Sequence, residues 1–176
     1  VENLLGGQEI DQYLAMGLDG ISTLNDLAGG VTVTLEDDFS AADPAMTKGA
    51  TLTLQGDQAE IFVRRRMDIG EGTNEARMVR QEEYLAQLSA QLESRVQQDQ
   101  QFTAQVYDAL QPYLVTDLAK GQLVNEVWAA KDDTVEPAIA LEGEHKVAED
   151  GFTEFYPTEA SIQKAVLTLF WEPVEE

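Results

Sequence analysis

Arg64, Arg65, Arg66, Arg77 and Arg80 place five of the chain's 11 Lys and Arg residues in one short window of a sequence that carries 33 Asp and Glu and a formal charge of -22. Guanidiniums gathered in so acidic a chain call for an anion, and arginine's fork of N–H donors matches the oxygens of a phosphate. Arg64 and Arg66, two apart, point to one side if the chain leaves the preceding helix extended. The competing reading is a structural ion-pair cluster, for which Asp68, Glu71 and Glu75 are close in sequence. Displaced charges mark both kinds of site, so spacing alone leaves both open.

Two helices must position these side chains. GDQAEIFVR is expected to form about two turns with Ala59, Phe62 and Val63 inward, delivering Arg64 to Arg66. NEARMVRQEEYLAQLSAQLESRV is expected to be a long helix opening near Thr73 or Asn74, with Met78, Leu85, Leu88, Leu92 and Val96 on one face. Arg77 and Gln81 fall at the edge of that face, in line with Leu88, while Glu82, Glu83 and Gln87 point away. A guanidinium on a core-facing stripe needs a partner, and Arg77 sits in the first turn, where the helix dipole disfavours a cation. A bound anion would answer both demands.

Around this centre, helices and strands alternate, which predicts an α/β protein. VENLLG reads as a helix end stopped by Gly6 and Gly7, and IDQYLAM as a strand. LDGISTLNDLAGG reads as a helix through Ile21, Leu24 and Leu27 stopped at Gly29. VTVTL, with Val31, Val33 and Leu35 on one face, and ATLTLQ are strands flanking a loop rich in Asp, Pro and Gly. FTAQVYDALQPYL is a helix ended or kinked at Pro112. TDLAKGQLVNEVWAA is a further helix, capped by Thr116 or Asp117, with Leu118, Leu123, Val127 and Trp128 apolar. VEPAIAL and GFTEFY are strand candidates. PTEASIQKAVLTLFW starts a helix at Pro157 and Thr158, with Ile162, Val166 and Leu169 inward.

Other chemistry is sparse. His145 is the one histidine and sits between Glu144 and Lys146 in what reads as a polar loop, so a triad or histidine-rich metal site would have to run through it. Glu36, Asp37 and Asp38 lack the ligand spacing of a calcium loop and read as a solvated turn. The glycine pairs at Gly6 and Gly29 lack a nucleotide-loop pattern. Trp128 and Trp171 read as core. No cysteine is present, which excludes a disulfide framework. The charge argues against a nucleic-acid surface and against anionic membranes. No apolar run reaches membrane-span length, and no basic segment precedes an apolar one as in a signal peptide. A start at Val1 suggests that an upstream segment has been removed. The length of 176 residues suits a single domain, residues 1–176, divided into a core with the arginine site (1–97) and a helical and strand-helix part (98–176).

In order along the chain, VENLLG, LDGISTLNDLAGGVTVTL, KGATLTLQGDQAEIFVRRR and NEARMVRQEEYL resemble the LytR-CpsA-Psr (LCP) family of cell-envelope proteins, from Val1 to about Leu92. LEGEHKVAEDGFTEFYPTEASIQKAVLTLF is similar to the C-terminal segment of clostridial-type members. The resemblance implies an α/β/α sandwich around a mixed sheet. It implies an extracytoplasmic protein, tethered to the membrane by an N-terminal helix. Such a protein transfers teichoic acid, capsule or a similar glycopolymer from a polyprenyl-pyrophosphate carrier to peptidoglycan, with Mg²⁺ assisting. By the same resemblance Arg64 and Arg66 grip the pyrophosphate, Arg77 and Gln81 of the adjoining helix act on it as catalytic residues, and Arg80 is counted with the substrate-binding set.

The sequence departs from that pattern in two places. Asn74 stands where the family usually carries an aspartate. The upstream part of the domain, with the aspartates expected to organise Mg²⁺, does not appear, so the chain is expected to hold half of an active site. The parent protein is then expected to be a phosphotransferase and this chain alone inactive. Exposed sheet edges predict self-association or pairing with the upstream half. The alternative is a non-catalytic module that binds polyprenyl phosphate or an envelope polymer. A DNA-binding regulator, suggested by the family's older label of transcriptional attenuator, is disfavoured by the charge and by the lack of a basic recognition helix.

Overall fold

In the computed structural model, which describes residues 2–70, 72–133 and 139–171, the strongest apolar periodicities become the elements expected of them. The chain divides into two compact units, Gln12–Asp133 and a second made of Val1–Asp11 with Thr134–Glu176.

The first unit holds β1 (Leu14–Met16), α1 (Gly20–Ala28), β2 (Thr32–Thr34), β3 (Thr51–Thr53), α2 (Asp57–Arg64), α3 (Asn74–Gln98), α4 (Phe102–Leu110), β4 (Leu114–Thr116) and α5 (Lys120–Ala129). Helix α1 stops where expected, at Gly29 with φ 101°, a left-handed conformation that a Cβ would penalise. The alternation of Val31, Val33 and Leu35 sends all three into the core, while Thr32 and Thr34 face solvent and pair across the strands with Thr53 and Thr51. Ala59, Phe62 and Val63 of α2 are buried as expected, and Phe62 stands between Phe39 (5.8 Å between ring centroids) and Tyr84 (6.5 Å).

One polar side chain lies at the centre of that core. Asn25 is fully buried. Its amide donates to the Leu54 carbonyl at 2.8 Å and to Asp26 at 3.1 Å, and its oxygen accepts from the Val31 N–H at 3.1 Å and the Tyr84 hydroxyl at 3.3 Å. It thereby ties α1 to both strands and to α3. Burial, with Asp26 adding to it, pushes the Tyr84 phenol up to about 12. Because the unfolded phenol titrates near 10, this contribution is full below about pH 10 and is lost as pH rises toward 12. The native protein should therefore lose roughly 2–3 kcal/mol through this group across that window. Denaturant melts should show the loss in the native protein and a flatter alkaline limb in Tyr84→Phe.

Several expectations are corrected. On α3 the buried residues are Tyr84, Leu88 and Val96, with Leu92 half-buried, whereas Met78 (53% exposed) and Leu85 (56%) face outward. The core line runs through Tyr84 because that ring reaches the Asn25 amide and Phe62, so the apolar stripe is rotated from the one that leucine spacing suggests. Glu2 to Gly7 form turns closed by the Gly7 N–H on the Glu2 carbonyl, not a helix end. Residues 114–116 form β4, antiparallel to β1, rather than closing a helix. The N-cap of α5 is Ala119, whose N–H donates to Gln122 Oε1. Thr116 and Asp117 are occupied in tying β4 to Tyr13.

In the second unit, β5 (Gly143–Val147) pairs antiparallel with β6 (Thr153–Pro157), followed by α6 (Glu159–Phe170), whose N-cap Thr158 accepts from the Ser161 N–H. The GFTEFY strand is thus observed, as is the helix start. The VEPAIAL expectation falls partly on residues 134–138, which lie outside the described residues, and Ile139–Leu141 form no strand. His145 belongs to β5, exposed and in a tilted ring pair with Phe155 at 5.1 Å between centroids, not to a loop. Charged residues alternate along this solvent-facing strand, so no apolar period announced it. Ala165 is the buried residue of α6, with Ile162 and Val166 half-buried and Leu169 exposed. Trp171 is exposed and Trp128 half-buried, so neither is a core residue.

The class is α/β as expected. Among the described residues the strands form three two-stranded antiparallel pairs, β1 with β4, β2 with β3 and β5 with β6. No described helix is long and apolar enough to cross a membrane.

Candidate functional site

Helix α2 ends at Arg64, and the chain leaves it extended at Arg65 (φ -67°, ψ 135°). A turn follows in which Asp68 and Gly70 adopt positive φ. The chain then enters α3 through Thr73, whose hydroxyl caps the helix by accepting from the Ala76 N–H at 3.1 Å. This path returns the first turn of α3 to the end of α2. Arg64, Arg65, Arg66 and Arg77 then line one cleft of about 780 Å³, with Asp57, Glu60, Ile61, Met67 and Asp68. Its size is that of a small-molecule site.

The four guanidiniums are not equivalent. Arg64 donates to Glu60 at 2.6 Å, an i,i+4 pair of α2. Arg66 and Arg77 share one acceptor, Asn74 Oδ1, at 2.9 Å and 3.3 Å. Among the described residues neither has a carboxylate within ion-pair distance, and Arg77 Nε is buried with no hydrogen-bond partner. Two cations that share a neutral oxygen keep N–H donors to spare, the donor type that suits an oxyanion. Glu71, which the ion-pair reading had offered as a partner, lies outside the described residues.

Arg80 and Gln81 face the backbone that carries the cluster. Arg80 Nη2 donates to the Arg65 carbonyl at 2.6 Å, its guanidinium lies 5.1 Å over the Phe39 ring, and Asp37 Oδ2 is 3.9 Å from Nη1. Burial lowers its pKa from the ordinary value, Asp37 opposes that, and Arg77 adds to it. Gln81 Nε2 donates to the Val63 carbonyl at 2.9 Å. These two carbonyls belong to the C-terminal end of α2, where the helix lacks its own donors. The structure therefore gathers Arg64, Arg66 and Arg77 at the cleft and spends Arg80 and Gln81 on fixing the segment that presents them. Sequence reasoning had not singled out Arg65 as a lining residue, nor Asn74 and Asp37 as partners. An amide at the first position of a helix, three residues before an arginine, was the available signal.

Elsewhere the chemistry is thin. His145 packs against Phe155 in a tilted ring pair. Among the described residues no three of His, Asp and Glu come together as a cation site.

A family model described as LytR_cpsA_psr matches residues 1–169. No curated protein matches. Among solved structures, protein gbs0355 from Streptococcus agalactiae aligns with a TM-score of 0.75 at 20% identity, over 95% of this chain and 59% of that one. TagT, solved bound to LI-WTA, aligns at 0.68 and 18% identity, over 96% and 62%. TagU of B. subtilis aligns at 0.60 and 17% identity, over 96% and 67%. This chain thus spans 59% to 67% of the length of those three proteins, and at such identities the likeness establishes a shared fold. With nearly its whole length matched by the family model, the chain belongs to the LytR-CpsA-Psr family.

Proposed function

We propose that this chain carries the pyrophosphate-gripping part of a cell-wall glycopolymer phosphotransferase, which moves teichoic acid, capsule or a similar polymer from a polyprenyl-pyrophosphate carrier to peptidoglycan. The observation that supports this reading is the meeting of Arg64, Arg66 and Arg77 in one cleft, with Arg66 and Arg77 joined through a neutral oxygen. In such a transfer the oxygen of an acceptor hydroxyl forms a new P–O bond and its proton is released to solvent, while the bridging P–O bond breaks and polyprenyl monophosphate departs. Catalysis then rests on positioning and on stabilising charge at the leaving phosphate, which guanidiniums can supply. Arg77, with one N–H unpartnered, is placed to strengthen its contacts as that charge develops. Arg80 and Gln81 keep the Arg64 to Arg66 segment in place. Any Mg²⁺ used by the reaction is proposed to be held by the upstream part of the family domain. The full-length protein is proposed to be extracytoplasmic, in the cell envelope and anchored by an N-terminal helix, with the upstream half or a second copy covering exposed apolar surface.

Calorimetric titration of the chain with a short polyprenyl pyrophosphate at low and high salt tests the reading. The expected result is binding in the micromolar range that weakens as salt rises, because opposed charges are screened. A folded chain that binds nothing at low salt would sink it. Binding with no polymer transfer by the full-length protein, assayed with Mg²⁺, would favour the non-catalytic module instead.

A further inference from the structure

Among the described residues, Glu60 is the one carboxylate of the cleft lining that is paired with an arginine: its Oε1 lies 2.6 Å from Nη1 of Arg64. We propose that Glu60 is an internal competitor of the anion. When no anion is bound it occupies Arg64, an anionic ligand takes Arg64 by displacing it, and it reclaims the guanidinium as the ligand leaves. The inference rests on the cleft being the anion site described above.

The cations of the cleft are held in two different ways. Arg66 and Arg77 meet on the neutral Asn74 oxygen and keep their charge for a ligand, whereas Arg64 turns to a carboxylate one helical turn earlier. A carboxylate presents two oxygens to a guanidinium much as a phosphate does, so Glu60 and a ligand compete for the same fork of donors. The pair is also weak enough to exchange. It lies on a helix surface at i,i+4 spacing, and the Arg64 side chain is 63% exposed, so water screens the attraction and leaves the guanidinium free to swing. The inward face of α2 does not need it, since Ala59, Phe62 and Val63 form that face. A pair that served the helix alone could stand anywhere on the solvent side of α2. Here the carboxylate is part of the cleft wall, so its charge acts on the ligand as well as on Arg64. A grip that Glu60 can loosen suits a transfer that must let a phosphate product go.

The test is calorimetry with inorganic pyrophosphate at low salt, alongside thermal melts, on the native chain, Glu60→Gln, Asp57→Asn, Arg64→Ala and the double variant Glu60→Gln with Arg64→Ala. Glu60→Gln should bind about three- to fivefold more tightly than the native chain, through release of Arg64 and removal of one repulsive charge. It should melt slightly lower, because Glu60 lies in the first turn of α2, where the helix dipole favours a carboxylate. Asp57→Asn removes a charge from the same lining without freeing an arginine, and should tighten binding by no more than about twofold. With Arg64 already replaced by Ala, the gain from Glu60→Gln should shrink to that level. Equal gains from Glu60→Gln and Asp57→Asn, or a full gain that persists without Arg64, would trace the effect to the overall charge of the cleft. Unchanged affinity with a lower melting temperature would make Glu60 a helix-stabilising residue. Each of these results overturns the inference while leaving the anion site standing. A native chain that binds no pyrophosphate overturns both.

Discussion

Arg77→Ala should bind a short polyprenyl pyrophosphate about 10- to 100-fold more weakly than the native chain, from the loss of one or two charge-assisted hydrogen bonds at about 1.5–3 kcal/mol in all. The expectation follows from what Arg77 does in the absence of ligand. Its contact with Asn74 is long, at 3.3 Å, and its Nε is buried without a partner, so the side chain contributes little to the fold while being held at the cleft. The melting temperature should accordingly be unchanged or slightly raised, since a half-buried cation with an unmet donor is removed. Titration calorimetry paired with a thermal melt separates the two effects. Affinity retained in the folded variant would show that the ligand does not use this guanidinium. Affinity lost together with a large fall in melting temperature would return Arg77 to a structural role.

Asn25→Ala should destabilise the chain by about 3–5 kcal/mol, measured as a fall in the urea midpoint at unchanged slope. Alanine leaves the Leu54 carbonyl and the Val31 N–H buried without the partners that Asn25 supplies, and removes the acceptor of the Tyr84 hydroxyl. Such groups cannot be rehydrated in a core where Val31, Leu54 and Tyr84 are all essentially inaccessible. Asn25→Asp is a sharper probe. It keeps an oxygen for Val31 and Tyr84 but offers the Leu54 carbonyl no donor and buries a charge, so it should be no more stable than the alanine variant. A change below about 1 kcal/mol in either case would mean that the network is not what holds α1 against the two strands.

The parts of the fold legible in the sequence were those specified by neighbours. Alternation placed Val31, Val33 and Leu35 in the core, helical spacing placed Ala59, Phe62 and Val63 there, and Thr73 and Thr158 announced two helix starts. What escaped depends on contacts distant in sequence. Tyr84 displaced the leucine stripe of α3 because its partner is Asn25, 59 residues away. Strands β4 and β5 were hidden for different reasons: the first is fixed by pairing with β1, far away in sequence, and the second is exposed along its whole length and so carries no apolar period. At the site, crowding of arginines gave the cleft but not its division of labour. Arg80 and Gln81 lie on the same stretch of helix as Arg77, yet their donors are taken by carbonyls 15 and 18 residues earlier.

A Cβ at Gly70 would overlap the carboxylate of Asp37, whose charge stands beside Arg80. Arg80 in turn holds the Arg65 carbonyl, so the want of one methyl group on a turn is passed, through two charged side chains, to the backbone of the arginine cluster. The consequence is one of coupling: a side chain at position 70 would push the Asp37 carboxylate aside and so change the charge that stands beside Arg80.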